Sequence, residues 1–142
     1  MGIIIFALII GIPISLGELL LFIPVALMVC FLGGAFGVLI MANLNSQRAA
    51  NQVFPFIMLP QYFLAGVFTP INNLPPVLDF LSHLAPMRYA VDLTRAAFYK
   101  GSPEYEMVVL DPPLFNLIII TLLFIVFLIV GTFLFVRKER NR

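Results

Sequence analysis

The sequence predicts an all-α integral membrane protein: three full transmembrane helices, a partial N-terminal one, and an extracellular re-entrant helical hairpin before the last helix. Composition gives the class, since 62% of residues are hydrophobic and 11% are charged, whereas a soluble domain carries about a quarter charged residues. The positions of the transmembrane helices follow from uncharged apolar runs, because a membrane helix needs about 20 such residues. Residues 1–142 are therefore expected to form a single transmembrane domain.

The same composition excludes several kinds of function. A formal net charge of +1 provides no basic surface for nucleic acid, so no nucleic-acid partner is expected. Cys30 is the single cysteine and His83 the single histidine, so we expect neither an internal disulfide nor a histidine-based metal site. No Walker A pattern and no catalytic constellation occurs in the sequence. We expect no catalytic residue, no metal and no enzymatic activity in this chain.

The apolar runs define the elements in order. Residues 1–16 are too short to span, because at about 1.5 Å per residue they cross only part of a roughly 30 Å hydrocarbon core. We expect them to be the end of a helix that begins upstream, in a longer protein. Residues 19–42, 53–71 and 114–136 are uncharged and are predicted to be complete spans. Gln61 is the strongly polar side chain of the middle one.

Basic residues predict the orientation. The tail at residues 137–142 contains several arginines and a lysine, which places the C-terminus in the cytoplasm by the positive-inside rule. Counting back, the short link around Arg48 lies inside and residues 70–113 lie outside, where acidic residues accompany the basic ones. The sequence thus predicts a multi-pass protein of the cell inner (cytoplasmic) membrane.

Prolines divide the outer segment into a hairpin at residues 74–99. Pro75 suits the first turn of a short helix, because it lacks only an N–H that would be unpaired there. Pro86 ends that helix, since it forces the preceding residue out of helical geometry, and a second helix runs to about Tyr99. Such a pair is either a re-entrant hairpin, with its backbone satisfied by protein or water, or an amphipathic hairpin lying flat on the outer surface. These residues alone leave both open.

Three charged residues occupy one face of the second hairpin helix. Arg88 and Asp92 are four positions apart, and Asp92 and Arg95 are three apart, so all three side chains can meet. One hypothesis is that they fix the hairpin against the bundle and line an outer gate, since charges near lipid are paired and face protein or water. The alternative is a solvated surface network that contributes little.

The hairpin and its flanks resemble a known family. The segment FLAGVFTPINNLPPVLDFLSHLAPMRYAVDLTRAAFYKG is similar to the ABC-2 type transporter permeases, the membrane subunits of type-2 ATP-binding-cassette exporters. The resemblance covers residues 19–142, which we expect to be the C-terminal portion of such a permease, and its drug-exporter branch looks closest. It rests on a Gly-x-x-x-Pro element, a Leu-Pro helix start, a Pro-x-x-Tyr turn and a later arginine: Gly66 to Pro70, Leu74-Pro75, Pro86 to Tyr89, and Arg95.

The resemblance implies partners, substrate and roles. The partners would be an ABC ATPase subunit, which uses ATP and Mg, so this chain needs no cofactor; a second permease subunit, identical or different; and membrane lipid. The substrate moved outward would be a hydrophobic small molecule or a lipid-like one. The hairpin would form an extracellular gate built from these residues: Gly66, Pro70, Pro75, Pro86, Arg88, Tyr89, Asp92 and Arg95.

Five further residues are secondary candidates. Gln61, Asn116 and Thr121 would line the substrate pathway, or instead form hydrogen bonds between helices. Gly33 and Gly37 form a small-xxx-small pair that predicts close helix packing, either within the bundle or at a dimer interface.

The sequence leaves two other functions open. The parts that the family uses to dock its ATPase are mostly absent from this sequence. The alternative to a transport subunit is therefore a membrane anchor, an assembly protein or an inactive truncated permease without independent transport. A membrane enzyme is the other possibility, with the Arg/Asp set as its polar group.

Overall fold

The computed structural model describes residues 16–44, 46–68 and 74–140. No strand occurs in these ranges, which confirms the all-helical class. The described helices are α1 (Leu16–Asn43), α2 (Gln47–Leu64), α3 (Pro76–Leu84), α4 (Pro86–Phe98), α5 (Tyr105–Val108) and α6 (Pro113–Arg140). The predicted partial helix at residues 1–16 lies almost wholly outside the described residues.

Two described segments are long and apolar enough to cross a membrane. They are Leu20–Asn43, in α1, and Tyr105–Arg140, which contains α6. Within an apolar stretch of 18 residues in each segment, only 22% of the residues in the first and 11% in the second are buried inside the protein. A helix that is apolar all round and yet exposed has lipid as its natural surroundings, whereas the core helix of a soluble protein would be covered. Two of the predicted spans, 19–42 and 114–136, fall within these helices.

The third predicted span, residues 53–71, differs from the structure. α2 begins earlier, at Gln47, where the Ser46 side chain accepts a hydrogen bond from Ala49 N at 3.2 Å, a common N-cap. The first turns of α2 are polar and lower its mean hydropathy. α2 is therefore not among the described helices that are apolar enough to span a membrane. The end of the predicted span, including Pro70, lies outside the described residues, so three full spans remain a prediction.

A glycine cap ends α2 at Leu64, earlier than expected. Gly66 has a φ of +70°, its N–H donates to Phe63 O at 3.1 Å, and Val67 N donates to Tyr62 O at 3.0 Å. This bonding is the Schellman pattern, in which a left-handed residue turns the chain off the helix axis. Glycine adopts that conformation without the steric cost that a Cβ imposes. A helix running unbroken to residue 71 is therefore wrong.

α1 and α6 pack side by side and run in the same direction. Early in the pair, the Phe31 and Phe124 rings lie 6.0 Å apart. Farther along both helices, the Lys138 ammonium donates to the carbonyls of Ala42 and Leu44. A cation at these carbonyls satisfies the unpaired acceptors at the end of α1. Because the helices are parallel, their C-terminal ends share one end of the bundle, and the hairpin lies at the other.

A glycine outside the predicted pair makes the close approach between these helices. A Cβ built on Gly131 would lie 3.0 Å from Leu39 N and 3.1 Å from Leu39 Cα, whereas one on Gly33 or Gly37 would meet nothing within 4 Å. The face of α1 that contacts α6 follows the buried Leu32 and its helical neighbours, and the two predicted glycines lie off that face. Among the described residues, no helix packs closely against either glycine, so their packing role stays a prediction.

The hairpin forms as the prolines predict. Ala85 has an extended backbone, with φ −83° and ψ 115°, and it ends α3 and begins α4, as expected for a residue before proline. α4 then packs between α1 and α6. The apolar core joins these three helices through Leu32, Tyr89, Ala90, Leu93 and Ile120.

We predict that Gly131→Leu destabilises the α1–α6 pair by about 1–3 kcal/mol, because a side chain there must push against the backbone of α1. Gly34→Leu is the matched control, since a Cβ at Gly34 meets nothing within 4 Å. Thermal unfolding of both variants in the same detergent measures the difference. Equal melting temperatures would contradict the close packing at Gly131.

Candidate functional site

Buried polar side chains collect at the hairpin end of the bundle. Among the described residues, the buried polar or charged side chains are Ser82, Arg88, Asp92 and Asn116, contributed by α3, α4 and α6. With the partly exposed Asp79 and Asp111, they form what we term the hairpin cluster. Burial of so many polar groups is costly unless they bond to one another, so their partners determine what the cluster does.

Arg88 joins α3 to the segment that precedes α6. It is 6% exposed, and its Nη1 donates to Ser82 Oγ. Nη1 lies 3.6 Å from Asp79 Oδ1, and Nη2 lies 3.6 Å from Asp111 Oδ2. The planar guanidinium suits such a position because it presents donors in several directions. One buried cation is thus balanced by two carboxylates on different parts of the chain.

Asp92 joins the middle of α4 to the start of α6. The residue is 1% exposed. Its Oδ1 accepts from Leu110 N at 2.8 Å, and its Oδ2 accepts from Asp111 N at 2.9 Å and from Asn116 Nδ2 at 2.7 Å. Hydrogen bonds to a charged acceptor are stronger than neutral ones. The carboxylate is therefore held by N–H donors from the chain entering α6.

Arg95 joins α4 to the turn after α2. Its Nη2 donates to Gly66 O at 2.7 Å. This is the carbonyl of the glycine that caps α2, so Gly66 supplies both the turn and the acceptor. The bond links two elements that are far apart in sequence, and it fixes the C-terminal half of α4 relative to α2.

The three charged residues therefore do not form the network with one another that their spacing allows. Within the described part of the chain, the ion pairs of Arg88 are to Asp79 and Asp111, and Asp92 and Arg95 bond to backbone groups elsewhere. Burial of Arg88 and Asp92 disagrees with the alternative of a solvated surface network. Helical spacing identified the right residues and the wrong partners.

Tyr89 of α4 links the two helices of the hairpin next to the turn between them. Its hydroxyl donates to His83 O at 2.7 Å, which satisfies a carbonyl in the last turn of α3. Burial raises the pKa of the Tyr89 phenol above its ordinary value of 10.0, Arg88 opposes that shift and Asp111 adds to it. The phenol therefore stays protonated near neutral pH and keeps its donor.

The residues predicted to line a pathway have different surroundings. Asn116 is fully buried within the hairpin cluster and donates to Asp92 of α4, so it forms the hydrogen bond between helices that was the alternative to lining a pathway. Thr121 Oγ1 donates to Leu117 O of its own helix at 2.7 Å. Gln61 does line a cavity, of about 440 Å³, between α1, α2 and α4. Pro70 lies outside the described residues.

Sequence reasoning missed several members of the hairpin cluster. Asp79 and Ser82 lie three positions apart on α3, and the Ser82 hydroxyl donates to Asp79 O at 2.6 Å. A polar face on an otherwise apolar short helix was the available signal. Nothing local indicated Asp111, because it reaches Arg88 only after the chain has turned back through α5.

Residues 1–99 match the family described as the ABC-2 type transporter. The chain belongs to the ABC-2 type transporter family. No curated protein matches the chain, and neither does any solved structure. The matched residues include α1 to α4 and so the whole hairpin, which agrees with the resemblance carried by that segment. Membership makes the chain a membrane domain of an ABC transporter, which implies a membrane location and an ATPase partner.

We predict that Asp92→Asn in this ABC-2 domain lowers the stability of the contact between α4 and the start of α6 by roughly 1.5–3 kcal/mol, the range for hydrogen bonds to a charged group. An amide cannot accept from all of the N–H donors that the carboxylate accepts. Hydrogen exchange at the Leu110 and Asp111 amides should accelerate by about tenfold or more. Asp79→Asn is the control, since its side chain is 49% exposed and such ion pairs contribute little. Unchanged exchange in Asp92→Asn would contradict the proposed link.

Proposed function

We propose that the chain is the membrane-spanning permease subunit of an ATP-driven exporter. It moves a hydrophobic or amphipathic substrate outward across the cytoplasmic membrane, working with an ABC ATPase and a second permease subunit. The observation that carries the proposal is the hairpin cluster, a buried polar network that holds a helical hairpin at one end of the apolar α1–α6 pair in a member of the ABC-2 family.

The charge distribution supports an outward-facing hairpin. Arg137, Lys138 and Arg140 occupy the last turn of α6. Lys138 bonds to the end of α1, and the link with Arg48 follows directly. Basic residues thus gather at the end opposite the hairpin, which supports a cytoplasmic C-terminus by the positive-inside rule.

The surfaces of α3 support a re-entrant hairpin over one lying flat on the membrane. Val77, Phe80 and Leu84 are each at least two-thirds exposed, while Ser82 points to Arg88 inside the protein. A surface-lying helix would turn its polar side toward water. Here Ser82 instead faces the protein and bonds to the buried Arg88, which is how polar groups are satisfied at membrane depth.

The hydrogen bonds of α4 connect the hairpin to α2 and α6, and they provide a way for movement of those helices to open the gate. ATP binding and hydrolysis occur in the partner, which moves the long helices of the permease. Arg95 transmits motion of α2 to the hairpin through Gly66 O, and Asp92 transmits motion of α6 through Leu110 and Asp111. The hairpin therefore moves as a unit when these helices shift, with the Ala85–Pro86 turn and Tyr89 keeping α3 attached.

Transport is tested with inverted vesicles from native membranes that contain or lack the chain. The probe is 12-(NBD-amino)dodecanoic acid, a fluorescent amphiphile. We expect ATP-dependent accumulation only where the chain is present, and an ATPase that co-purifies with it. Accumulation that is independent of the chain, together with no bound ATPase, would favour an anchor or assembly role and overturn the proposal.

We predict that Arg88→Gln lowers ATP-dependent probe accumulation by about fivefold or more, because it removes the buried cation that links Ser82 of α3 to Asp111 before α6. Association with the ATPase should persist, since Arg88 lies at the end opposite the basic tail. Lys100→Gln is the matched control, because it removes an exposed cation from the turn that directly follows the hairpin. Unaltered transport and assembly in Arg88→Gln would rule out a gating role.

We predict that cysteines placed at the two ends of the bundle are accessible from opposite sides. In a Cys30→Ala background, Glu106→Cys in α5 should react with a membrane-impermeant maleimide on intact cells. Asn51→Cys in α2 should react only after permeabilisation. Both positions are exposed, so accessibility depends on the membrane. The reverse pattern would contradict the proposed orientation.

A further inference from the structure

We propose that the cavity between α1, α2 and α4 binds an anionic amphiphile from the bilayer, with its head at Arg95 and its tail along α1 and α2. The proposal rests on the proposed function and names the class of substrate for it. It combines the shape of the cavity, the charge at one part of its lining and the opening left between helices.

The cavity has the size and lining of a small-molecule site. Its volume is about 440 Å³, within the roughly 300–1,000 Å³ typical of ligand pockets. Most of the lining is aliphatic or aromatic and comes from all three helices: Val29, Leu32, Phe36, Phe54, Met58, Met87 and Val91. An apolar chain is the natural occupant of such walls.

Arg95 gives the cavity a single charge. No acidic residue and no other basic residue is among its described lining residues. One guanidinium nitrogen is bonded to Gly66 O, and the remaining N–H groups have no hydrogen bond in the described part of the chain. The nearest acid along α4, Asp92, accepts three hydrogen bonds from other donors and forms no ion pair with Arg95 among the described residues. An uncompensated guanidinium beside apolar walls suits a carboxylate or phosphate head.

Neutral polar groups accompany Arg95. Gln61 and Tyr62 of α2 and Thr94 of α4 also line the cavity. The Thr94 hydroxyl donates to Ala90 O, whereas the Gln61 amide has no hydrogen bond to another described residue. A few convergent polar groups in an otherwise apolar pocket orient a ligand. Together with Arg95, Gln61 defines the head end of the site.

The cavity exists because α2 stands apart from the α1–α6 pair. α2 packs against α3 and α4, and not closely against α1 or α6. Gly33 lies on the open face of α1, where an added Cβ would meet nothing within 4 Å, and it is part of the cavity lining. Glycine within a helix costs about 1 kcal/mol relative to alanine. Here it leaves space where a side chain would enter the cavity.

Binding is tested on the full chain in phosphatidylcholine nanodiscs at pH 8, with diazirine-bearing hexadecanoic acid as the photoprobe. Its methyl ester and a diazirine-bearing hexadecyltrimethylammonium are the neutral and cationic probes with matched tails. We expect the acid to label peptides of α1 and α2 about tenfold more than either. Equal labelling by all three would overturn the proposal.

Two pairs of variants separate a specific site from general lipid contact. Gly33→Leu should reduce labelling by the acid about tenfold by filling the cavity, whereas Gly34→Leu should not, because Gly34 is open and does not line it. Arg95→Gln should reduce labelling similarly, and Arg95→Lys should restore most of it by restoring the charge. Thermal unfolding confirms that each variant is folded. Equal labelling of Gly33→Leu and Gly34→Leu would overturn the proposal.

Competition identifies which part of the ligand is recognised. Unlabelled hexadecanoic acid should displace the probe, and sodium sulfate at the same concentration should not, because it has no tail. Displacement by sulfate would indicate a bare anion site and contradict the proposal. The assay contains neither ATP nor an ATPase, so failure to bind leaves the vesicle transport result standing, and failure to transport leaves the binding result standing.

Discussion

The fold of the hairpin end depends on one buried carboxylate. Removing Asp92 from water is costly, and this chain offsets that cost with N–H donors from Leu110, Asp111 and Asn116. Those donors are available only if the chain turns back after α5 and enters α6 beside α4. The bonds therefore fix where α6 begins relative to the hairpin, and they bring Asp111 within reach of Arg88.

α4 consequently contacts its neighbours in two ways. Polar bonds tie it to α3, to the turn after α2 and to the start of α6, while the apolar core joins it to α1 and to the body of α6. This division is physically reasonable beside lipid, where an unpaired polar group is costly and apolar packing supplies little driving force for helices to associate. The helix that carries the gate hypothesis is thus the one on which the other helices converge.

Prediction from sequence succeeded where structure follows from adjacent residues. Pro86 forces an extended Ala85 and so separates α3 from α4, and uninterrupted apolar runs identify α1 and α6. The family was recognisable for the same reason, since its motif lies within one continuous segment. The end of α2 was misplaced because apolar composition continues past Gly66, whereas the left-handed turn there depends on backbone conformation.

By itself, the sequence determined the helical membrane class, the proline-divided hairpin, the family and the residues of α4 that carry charge. Tertiary structure alone decided the partners of those charges, the close contact at Gly131 in place of Gly33 and Gly37, and the burial of Asn116. Helical spacing specifies which side chains share a face. What that face meets is set by elements distant in sequence, and only packing brings those elements together.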